Sequence, residues 1–145
     1  METKCRPKDR GKQYKITTIR DGQMRDRTAT RQQLTSLRGD DIDVVINEPK
    51  RDVVVKPNNG VKSTPPCTIS GLGVYVWDLL MDAVFAAGEI VPLKSHPSMN
   101  TRVRRLRRAF GDSKSSERFF KTSAMPYGIA INTDRAWRVI ETLAE

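Results

Sequence analysis

Five arginines fall within seven positions of the chain, from Arg102 to Arg108. A guanidinium group keeps its positive charge at any physiological pH and can hold a phosphate or a base edge with two parallel hydrogen bonds. Residues 98–110, read as one helix, contain no acidic side chain. Ion pairing along such a helix would therefore leave the arginines unbalanced. This excess of positive charge predicts an external polyanion as the ligand.

The same residues are amphipathic when they are read as an α-helix. At about 100° per residue, one face is apolar and the opposite face is polar. The apolar stripe comprises Met99, Val103, Leu106 and Phe110, and the polar face comprises Thr101, Arg104, Arg105 and Arg108. Ser98 is expected to cap the start, and Gly111 to supply the left-handed residue after the end. The pattern predicts a helix that packs on a core and turns its arginines outward.

The charge of the whole chain agrees with this interpretation. Its 145 residues include 26 Lys and Arg against 17 Asp and Glu, a net charge of +9. Residues 94–121 contain nine basic and two acidic side chains, and residues 1–31 contain ten and four. Two separate basic regions are typical of a nucleic-acid-binding protein that has a folded reading surface and a basic arm. An ordinary solvated positive surface is the alternative.

The residues that could support other functions are few. Cys5 and Cys67 are far apart and offer neither a disulfide framework nor a metal-ligand spacing, and His96 is the only histidine. The aspartates within residues 40–43 lack a neighbouring histidine or glycine-rich loop, which favours a turn and a strand edge over a catalytic cluster. The sequence also has no run of about 18 apolar residues and no secretion signal. We therefore expect no enzymatic activity, no cofactor, no metal site and no membrane contact, and a cytoplasmic, nucleoid-associated protein.

Turn signals and hydrophobic periodicity predict the surrounding elements. The predicted strands cover residues 14–19, 42–47, 52–55, 90–91, 119–122 and 128–131, and the last two form a β-hairpin beside the arginine helix. Asp21-Gly22 is a turn signal after the first strand. Thr30 and Gln33 have the spacing of a capping box, which predicts a short helix that ends near residues 38–39.

Two longer helices complete the prediction. Residues from about 72 or 74 to 87 are apolar on most sides, so they are expected to form the central core helix, with Trp77 and Phe85 in the core. Residues 132–134 give an N-cap signal for a final helix over 135–144, with Trp137 on its apolar face.

Three segments between residues 42 and 131 follow the pattern of a known DNA-binding domain. They are Met99–Phe110, Thr122 with Tyr127–Ile131, and Val44–Val55 with Asn59-Gly60-Val61. They resemble, respectively, the recognition helix, the wing and the last strands before the first helix in the DNA-binding effector domain of OmpR/PhoB-type response regulators. Compared with that family, the chain is expected to lack a receiver domain and phosphorelay control. Only nine residues separate Gly88 from Ser98, so the family's second helix is shortened or missing.

The resemblance implies an α+β fold, a winged helix (a winged helix-turn-helix variant) with a small N-terminal antiparallel sheet and an added C-terminal helix. The corresponding domain organisation is a basic flexible arm over residues 1–13, a strand and short helix over 14–41, and a winged-helix DNA-binding domain over 42–145.

The candidate DNA-binding residues lie on the arginine helix and the wing. Outward residues of the helix, Asn100, Thr101, Arg104, Arg105 and Arg108, are expected at base edges in a major groove, with phosphate contact as the alternative for each arginine. Arg102 and Arg107 flank the apolar stripe and are expected on phosphates. In the wing, Lys121, Thr122 and Ser123 are expected near sugar and phosphate groups, with an ordinary exposed hairpin as an equal alternative.

Together these features predict a sequence-specific double-stranded DNA-binding transcriptional regulator. A homodimer is expected, because one short helix reads few base pairs. Two alternatives remain open. One is an interaction protein that docks on RNA polymerase or another regulator, with the basic helix meeting an acidic partner. The other is an RNA-binding protein whose arginine-rich helix enters a distorted groove.

Overall fold

The computed structural model describes residues 13–31, 33, 42–56, 67–93, 97–112, 118–124 and 127–143. Within these ranges the chain forms nine strands and two helices. In chain order they are β1 (Gln13–Arg20), β2 (Gln23–Thr30), β3 (Val44–Asn47), β4 (Asp52–Val55), β5 (Cys67–Ile69), α1 (Val74–Phe85), β6 (Val91–Pro92), α2 (Pro97–Ala109), β7 (Phe120–Ala124), β8 (Tyr127–Ile131) and β9 (Trp137–Thr142).

Two sheets organise these elements. The larger has six strands in the order β2-β1-β9-β3-β4-β5, and the smaller has three in the order β6-β8-β7. Strand β9 pairs antiparallel with β1 and parallel with β3. Because β9 lies between them, it joins the N-terminal hairpin to the rest of the chain. The segments predicted as residues 14–41 and 42–145 thus share one sheet.

The predicted winged helix is wrong. Of the described residues, 44% lie in strands and 26% in helices, and the main sheet is a six-stranded mixed sheet rather than a small antiparallel one. The expected C-terminal helix over residues 135–144 is also wrong, since residues 137–142 form β9. Asn132 accepts the Asp134 N–H at 3.0 Å and so makes a turn rather than a helix cap.

The central position of β9 explains the error. Trp137 and Val139 are buried on one face of the sheet, and Arg138 is buried on the other. A strand that is covered on both faces shows no alternation of apolar and polar residues. The apolar spacing around Trp137 therefore matched a helical period better than a strand period.

Local signals at the N-terminal hairpin were more reliable. Asp21 and Gly22 have φ values of 53° and 78°, as a two-residue type I′ turn requires, which confirms the predicted turn. The capping box is also confirmed, because Thr30 N–H donates to Gln33 Oε1 at 2.8 Å and Gln33 N–H donates to Thr30 Oγ1 at 3.3 Å. The rest of that predicted helix lies outside the described residues, and so does the predicted basic arm over residues 1–13 except for Gln13, which begins β1.

The core lies between one face of the large sheet and the helices. Sheet residues such as Ile46 and Val139 pack with the buried side of α1, including Trp77 and Leu80. Trp77 is 2% exposed, which confirms its predicted core position. Phe85, also predicted in the core, is 37% exposed, so that assignment is wrong. The reason is that α1 is covered on one side only.

Gly128 permits close pairing between β8 and β6, and a larger residue at this position is expected to destabilise the protein. A Cβ at this position would lie 2.5 Å from Ile90 Cγ2 and 2.6 Å from the Val91 carbonyl oxygen. That oxygen belongs to the paired backbone of β6, so relief requires the strands to separate. Gly128→Ala is expected to lower the free energy of unfolding by about 2–3 kcal/mol, measured by chemical denaturation. In Gly73→Ala, the control, the Cβ meets nothing within 4 Å, and similar losses in the two variants would contradict the prediction.

Candidate nucleic-acid interface

Helix α2 is fixed by the apolar stripe that the sequence predicts. It spans Pro97–Ala109, so it begins and ends one residue before the predicted range of 98–110, and Ser98 lies in the first turn. Val103, Leu106 and Phe110 are 7%, 0% and 6% exposed, which confirms the stripe, and Met99 is half-buried. The opposite side of the helix is therefore set toward solvent.

An aromatic cluster holds the C-terminal end of α2 in place. The Phe110 ring lies 5.6 Å from that of Phe119, 4.9 Å from that of Phe120 and 6.1 Å from that of Trp137, measured between centroids. Trp137 also donates its indole N–H to the Asn132 carbonyl at 3.1 Å. These contacts tie the helix to both β7 and β9, so its orientation is determined by both sheets.

The chain leaves α2 through a glycine-terminated turn. Gly111 has a φ of 67°, as expected for the left-handed residue after a helix. Its N–H donates to the Arg108 carbonyl at 3.0 Å, and the Asp112 N–H donates to the Arg107 carbonyl at 2.8 Å. These two bonds form a Schellman motif. The motif brings the Asp112 side chain back beneath the last turn of the helix.

The Asp112 carboxylate organises the start of the β7–β8 hairpin. It accepts the backbone N–H groups of Arg118, Phe119 and Phe120 at 2.7, 3.0 and 2.9 Å. Arg107 Nη1 lies 3.8 Å from Asp112 Oδ2, and the two side chains are 8% and 0% exposed. Arg107 Nη2 also donates to the Phe120 carbonyl and to Thr122 Oγ1, both at 3.3 Å. A buried charge pair thus joins α2 to β7.

The Arg107 guanidinium is consequently engaged in contacts inside the protein. The sequence predicted a phosphate contact for it, but the residue is 6% exposed and its guanidinium bonds to the hairpin. Residues that pair on a helix surface lie three or four positions apart, and none at those spacings within α2 is acidic. Asp112, five positions after Arg107, was the missed signal, because the glycine turn folds it back to the helix. The Thr122 hydroxyl, a predicted wing contact, accepts a hydrogen bond from the same guanidinium.

Three arginines of α2 remain directed at solvent. Arg104, Arg105 and Arg108 are exposed, and so is Asn100. The ion pairs formed within the described residues are Lys15–Asp26, Arg51–Glu48 and Arg107–Asp112. No described carboxylate therefore neutralises Arg104, Arg105 or Arg108. We call these three residues and Asn100 the arginine face.

Two clefts flank the arginine face. The hairpin cleft is about 660 Å³, and its lining includes the buried Arg107–Asp112 pair. Its lining residues are Asn100, Val103, Arg104, Arg107, Arg108, Gly111, Asp112, Thr122 and Tyr127. The second, here called the α1 cleft, is about 340 Å³. Its lining residues are Gly73, Tyr75, Val76, Ser98, Thr101, Arg102 and Arg105. Each side of the helix thus has a recess beside its exposed guanidinium groups.

Arg102 is held at the edge of the α1 cleft by an aromatic ring. Its Cζ lies 4.4 Å from the centroid of Tyr75, which is 66% exposed. Guanidinium groups stack on aromatic faces and keep the N–H groups along their edge available. The sequence prediction gave Tyr75 no role and placed its helix in the core. The exposure of Tyr75 was indicated by its position three residues before Asp78, which places both residues on the exposed side of α1.

The hairpin residues are divided between two faces. Side chains alternate along β7, so Phe120 and Thr122 share one face while Lys121 and Ser123 share the other. Phe120 is fully buried and Thr122 lines the hairpin cleft, whereas Lys121 is exposed and Ser123 is half-buried. The structure therefore brings Thr122 to the arginine face and directs Lys121 and Ser123 away from it.

The other candidate residues that the structure describes lie apart from the arginine face. The described parts of the chain contain no group of three His, Cys, Asp or Glu side chains arranged to hold a metal ion. Asp43 accepts the Ala136 N–H at 2.8 Å and thereby joins the starts of β3 and β9, while Asp40 and Asp41 lie outside the described residues. Neither α1 nor α2 is long and apolar enough to cross a membrane.

The arginine face thus combines three exposed guanidinium groups that no described carboxylate neutralises, a helix anchored by its apolar stripe, and two recesses. Each of its arginines lies at an exposed position of α2, opposite the buried apolar stripe. The chain matches no protein-family model, no curated protein and no solved structure.

Proposed function

We propose that the protein binds double-stranded DNA through the arginine face and regulates transcription. One observation carries the proposal: Arg104, Arg105 and Arg108 are exposed on a helix anchored by a buried stripe, and no described carboxylate pairs with them. Such charges attract phosphates and release counterions from DNA. A preformed helix loses little conformational freedom when it binds.

The dimensions of α2 suit a major groove. An α-helix with its side chains is about 10–12 Å wide, and the groove is about 12 Å wide. Asn100, Arg104 and Arg108 are spaced four residues apart, so they lie in one line along the helix. This line covers about 12 Å, or about four base-pair steps of 3.4 Å.

Base recognition follows from the side chains on this line. Arginine can bridge O6 and N7 of guanine, and asparagine can bridge N6 and N7 of adenine. Asn100, Arg104 and Arg108 are therefore the proposed base-reading residues, and Arg105 a proposed phosphate contact. Because four base pairs specify a site poorly, we propose a homodimer that reads two half-sites. Association with the nucleoid follows from such binding.

A second candidate function is docking on RNA polymerase or another regulator. It is favoured by Val74 and Phe85, which are 65% and 37% exposed on the uncovered side of α1. They lie at the two ends of α1, about 16 Å apart, and would be two separate apolar contact points for a protein partner. This function is compatible with DNA binding, because these residues do not line either cleft beside α2.

A salt series tests the DNA-binding proposal. Fluorescence anisotropy would measure the affinity of the protein for duplex DNA of about 20 base pairs between about 50 and 200 mM salt. On a duplex of unselected sequence the base contacts do not form, and Arg102, Arg104, Arg105 and Arg108 all face phosphates. These four contacts predict a slope of about −3.6 in the plot of log K against log salt, or a loss of about 150-fold across this range. Competition with a hairpin RNA of equal length is the control. Salt-independent binding, or stronger binding to the RNA, would contradict the proposal.

A further inference from the structure

We propose that Tyr75 and Arg102 form a clamp for a DNA phosphate, in which the Tyr75 ring holds the Arg102 guanidinium toward the phosphodiester backbone. The inference rests on the proposed function of α2. It adds the start of α1 to the interface and makes the α1 cleft a binding site for one of the two strands. Tyr75 is a positioning residue in this arrangement, and Arg102 contacts the phosphate.

The α1 cleft has the composition of an anion site. Arg102 and Arg105 supply two guanidinium groups, and Ser98 and Thr101 supply hydroxyl groups. None of the described residues that line the cleft is acidic. Phosphate oxygens accept hydrogen bonds from all these side-chain types. The cleft therefore favours a negatively charged ligand over a neutral or positive one.

The position of Arg102 on α2 selects the phosphate as its target. Arg102 lies on the α1 flank of the helix, whereas Asn100 and Arg104 lie on the hairpin flank. A helix that nearly fills a major groove has its two flanks beside the two phosphodiester strands. The hairpin cleft then follows one strand and the α1 cleft follows the other.

The contact between Arg102 and Tyr75 explains how the guanidinium is kept in place. With its Cζ 4.4 Å from the ring centroid, Arg102 covers one face of the Tyr75 ring. A base could not stack on that face without displacing the guanidinium. The planar guanidinium still presents N–H groups along its edge, which suits bidentate binding of a phosphate. Stacking thus orders Arg102 without using the donors that the phosphate needs.

Four variants of the full chain test the clamp: Tyr75→Ala, Tyr75→Phe, Arg102→Ala, and the double variant Tyr75→Ala/Arg102→Ala. Affinity for duplex DNA of about 20 base pairs is measured across the same salt series. Loss of one phosphate contact predicts, for Arg102→Ala, about eightfold weaker binding at 0.1 M salt and a slope that is flatter by about 0.9. Tyr75→Ala should weaken binding by about threefold in the same direction, because it disorders the guanidinium.

The double variant and Tyr75→Phe separate the clamp from other roles of Tyr75. Since Tyr75 acts through Arg102, the double variant should bind no more weakly than Arg102→Ala. Tyr75→Phe keeps the aromatic face and should bind like the unsubstituted protein. Tyr75 is 66% exposed, so thermal melting should show that all four variants fold.

The results that overturn the clamp differ from those that overturn the proposed function. The clamp would be overturned if Arg102→Ala left the salt slope unchanged, or if the losses of affinity in the two single variants multiplied in the double variant. The proposed function would stand in either case, provided that Arg104, Arg105 and Arg108 are necessary for binding. Weak binding by Tyr75→Phe would assign the contact to the hydroxyl and overturn the positioning role. Absence of salt-dependent duplex binding by the unsubstituted protein would overturn both proposals.

Discussion

Replacement of Asp112 with alanine is expected to destabilise the protein by about 3–5 kcal/mol, the usual cost of removing one partner from a buried ion pair. The carboxylate is fully buried and lies 3.8 Å from the Arg107 guanidinium. It also accepts the N–H groups of residues 118–120 at 2.7, 3.0 and 2.9 Å. Without it, three backbone donors lose their acceptor and the buried Arg107 guanidinium loses its ion pair with Asp112, at the junction of α2 and β7.

Urea denaturation measures this loss, and two further variants identify its cause. Asp134→Ala, at an exposed carboxylate, is the control and should change stability by less than about 0.5 kcal/mol. Arg107→Met in the Asp112→Ala background should recover part of the stability, because it removes the buried cation whose ion pair with Asp112 is lost. If Asp112→Ala is within about 1 kcal/mol of the control, the buried pair does not hold the hairpin to the helix.

The parts of the structure that the sequence predicts are those determined locally. The stripe through Val103, Leu106 and Phe110 repeats at the helical period, and its burial follows from that period alone. The Asp21-Gly22 turn and the Thr30 capping box depend on residues within four positions of one another. Each of these features was therefore readable before any tertiary contact was known.

The errors involve contacts between distant parts of the chain. Strand β9 is recognisable only from its pairing with β1 and β3. Both of these strands lie about ninety residues or more earlier in the chain. Strand β2 is a polar edge strand in which only Ala29 is buried, so it has no apolar pattern to detect. The resemblance to a winged helix rested on segments 42–131 and gave no information on either strand. The architecture of the large sheet was consequently missed.

The sequence predicted the part of the candidate site that depends on local periodicity and missed the part that depends on contacts outside the helix. Exposure of Arg104, Arg105 and Arg108 follows from the amphipathic period, and the structure places all three on the arginine face. The internal role of Arg107 depends on Asp112 beyond the helix and on the hairpin. The exposure of Tyr75 depends on which side of α1 the sheet covers. The role of Arg107 therefore could not be read from the period of α2, whereas the spacing between Tyr75 and Asp78 was a local signal for the exposure of Tyr75.

Replacement of Arg104, Arg105 and Arg108 together with alanine is expected to abolish most DNA affinity. On a duplex of unselected sequence no base-specific contact forms, so all three arginines face phosphates. Their loss predicts about 500-fold weaker binding at 0.1 M salt, because each contact contributes about eightfold at that concentration. Folding should be preserved, since all three side chains are exposed and alanine favours helix. Circular dichroism and thermal melting would verify that the variant is folded.

A matched variant separates the arginine face from net charge. Arg25, Arg27 and Lys50 are exposed and lie away from α2, on β2 and in the turn between β3 and β4. Their joint replacement with alanine removes the same formal charge. We expect less than about threefold weaker binding, because distant exposed charges are screened within about 10 Å at 0.1 M salt.

The difference in salt slope between these two triple variants tests the central claim most directly. Both are titrated against the same duplex of about 20 base pairs, from about 50 to 200 mM salt. We predict that the variant at Arg104, Arg105 and Arg108 has a slope flatter by about 2.7, while the variant at Arg25, Arg27 and Lys50 keeps the slope of the unsubstituted protein. Equal slopes in the two variants would show that α2 does not meet DNA and would contradict the account.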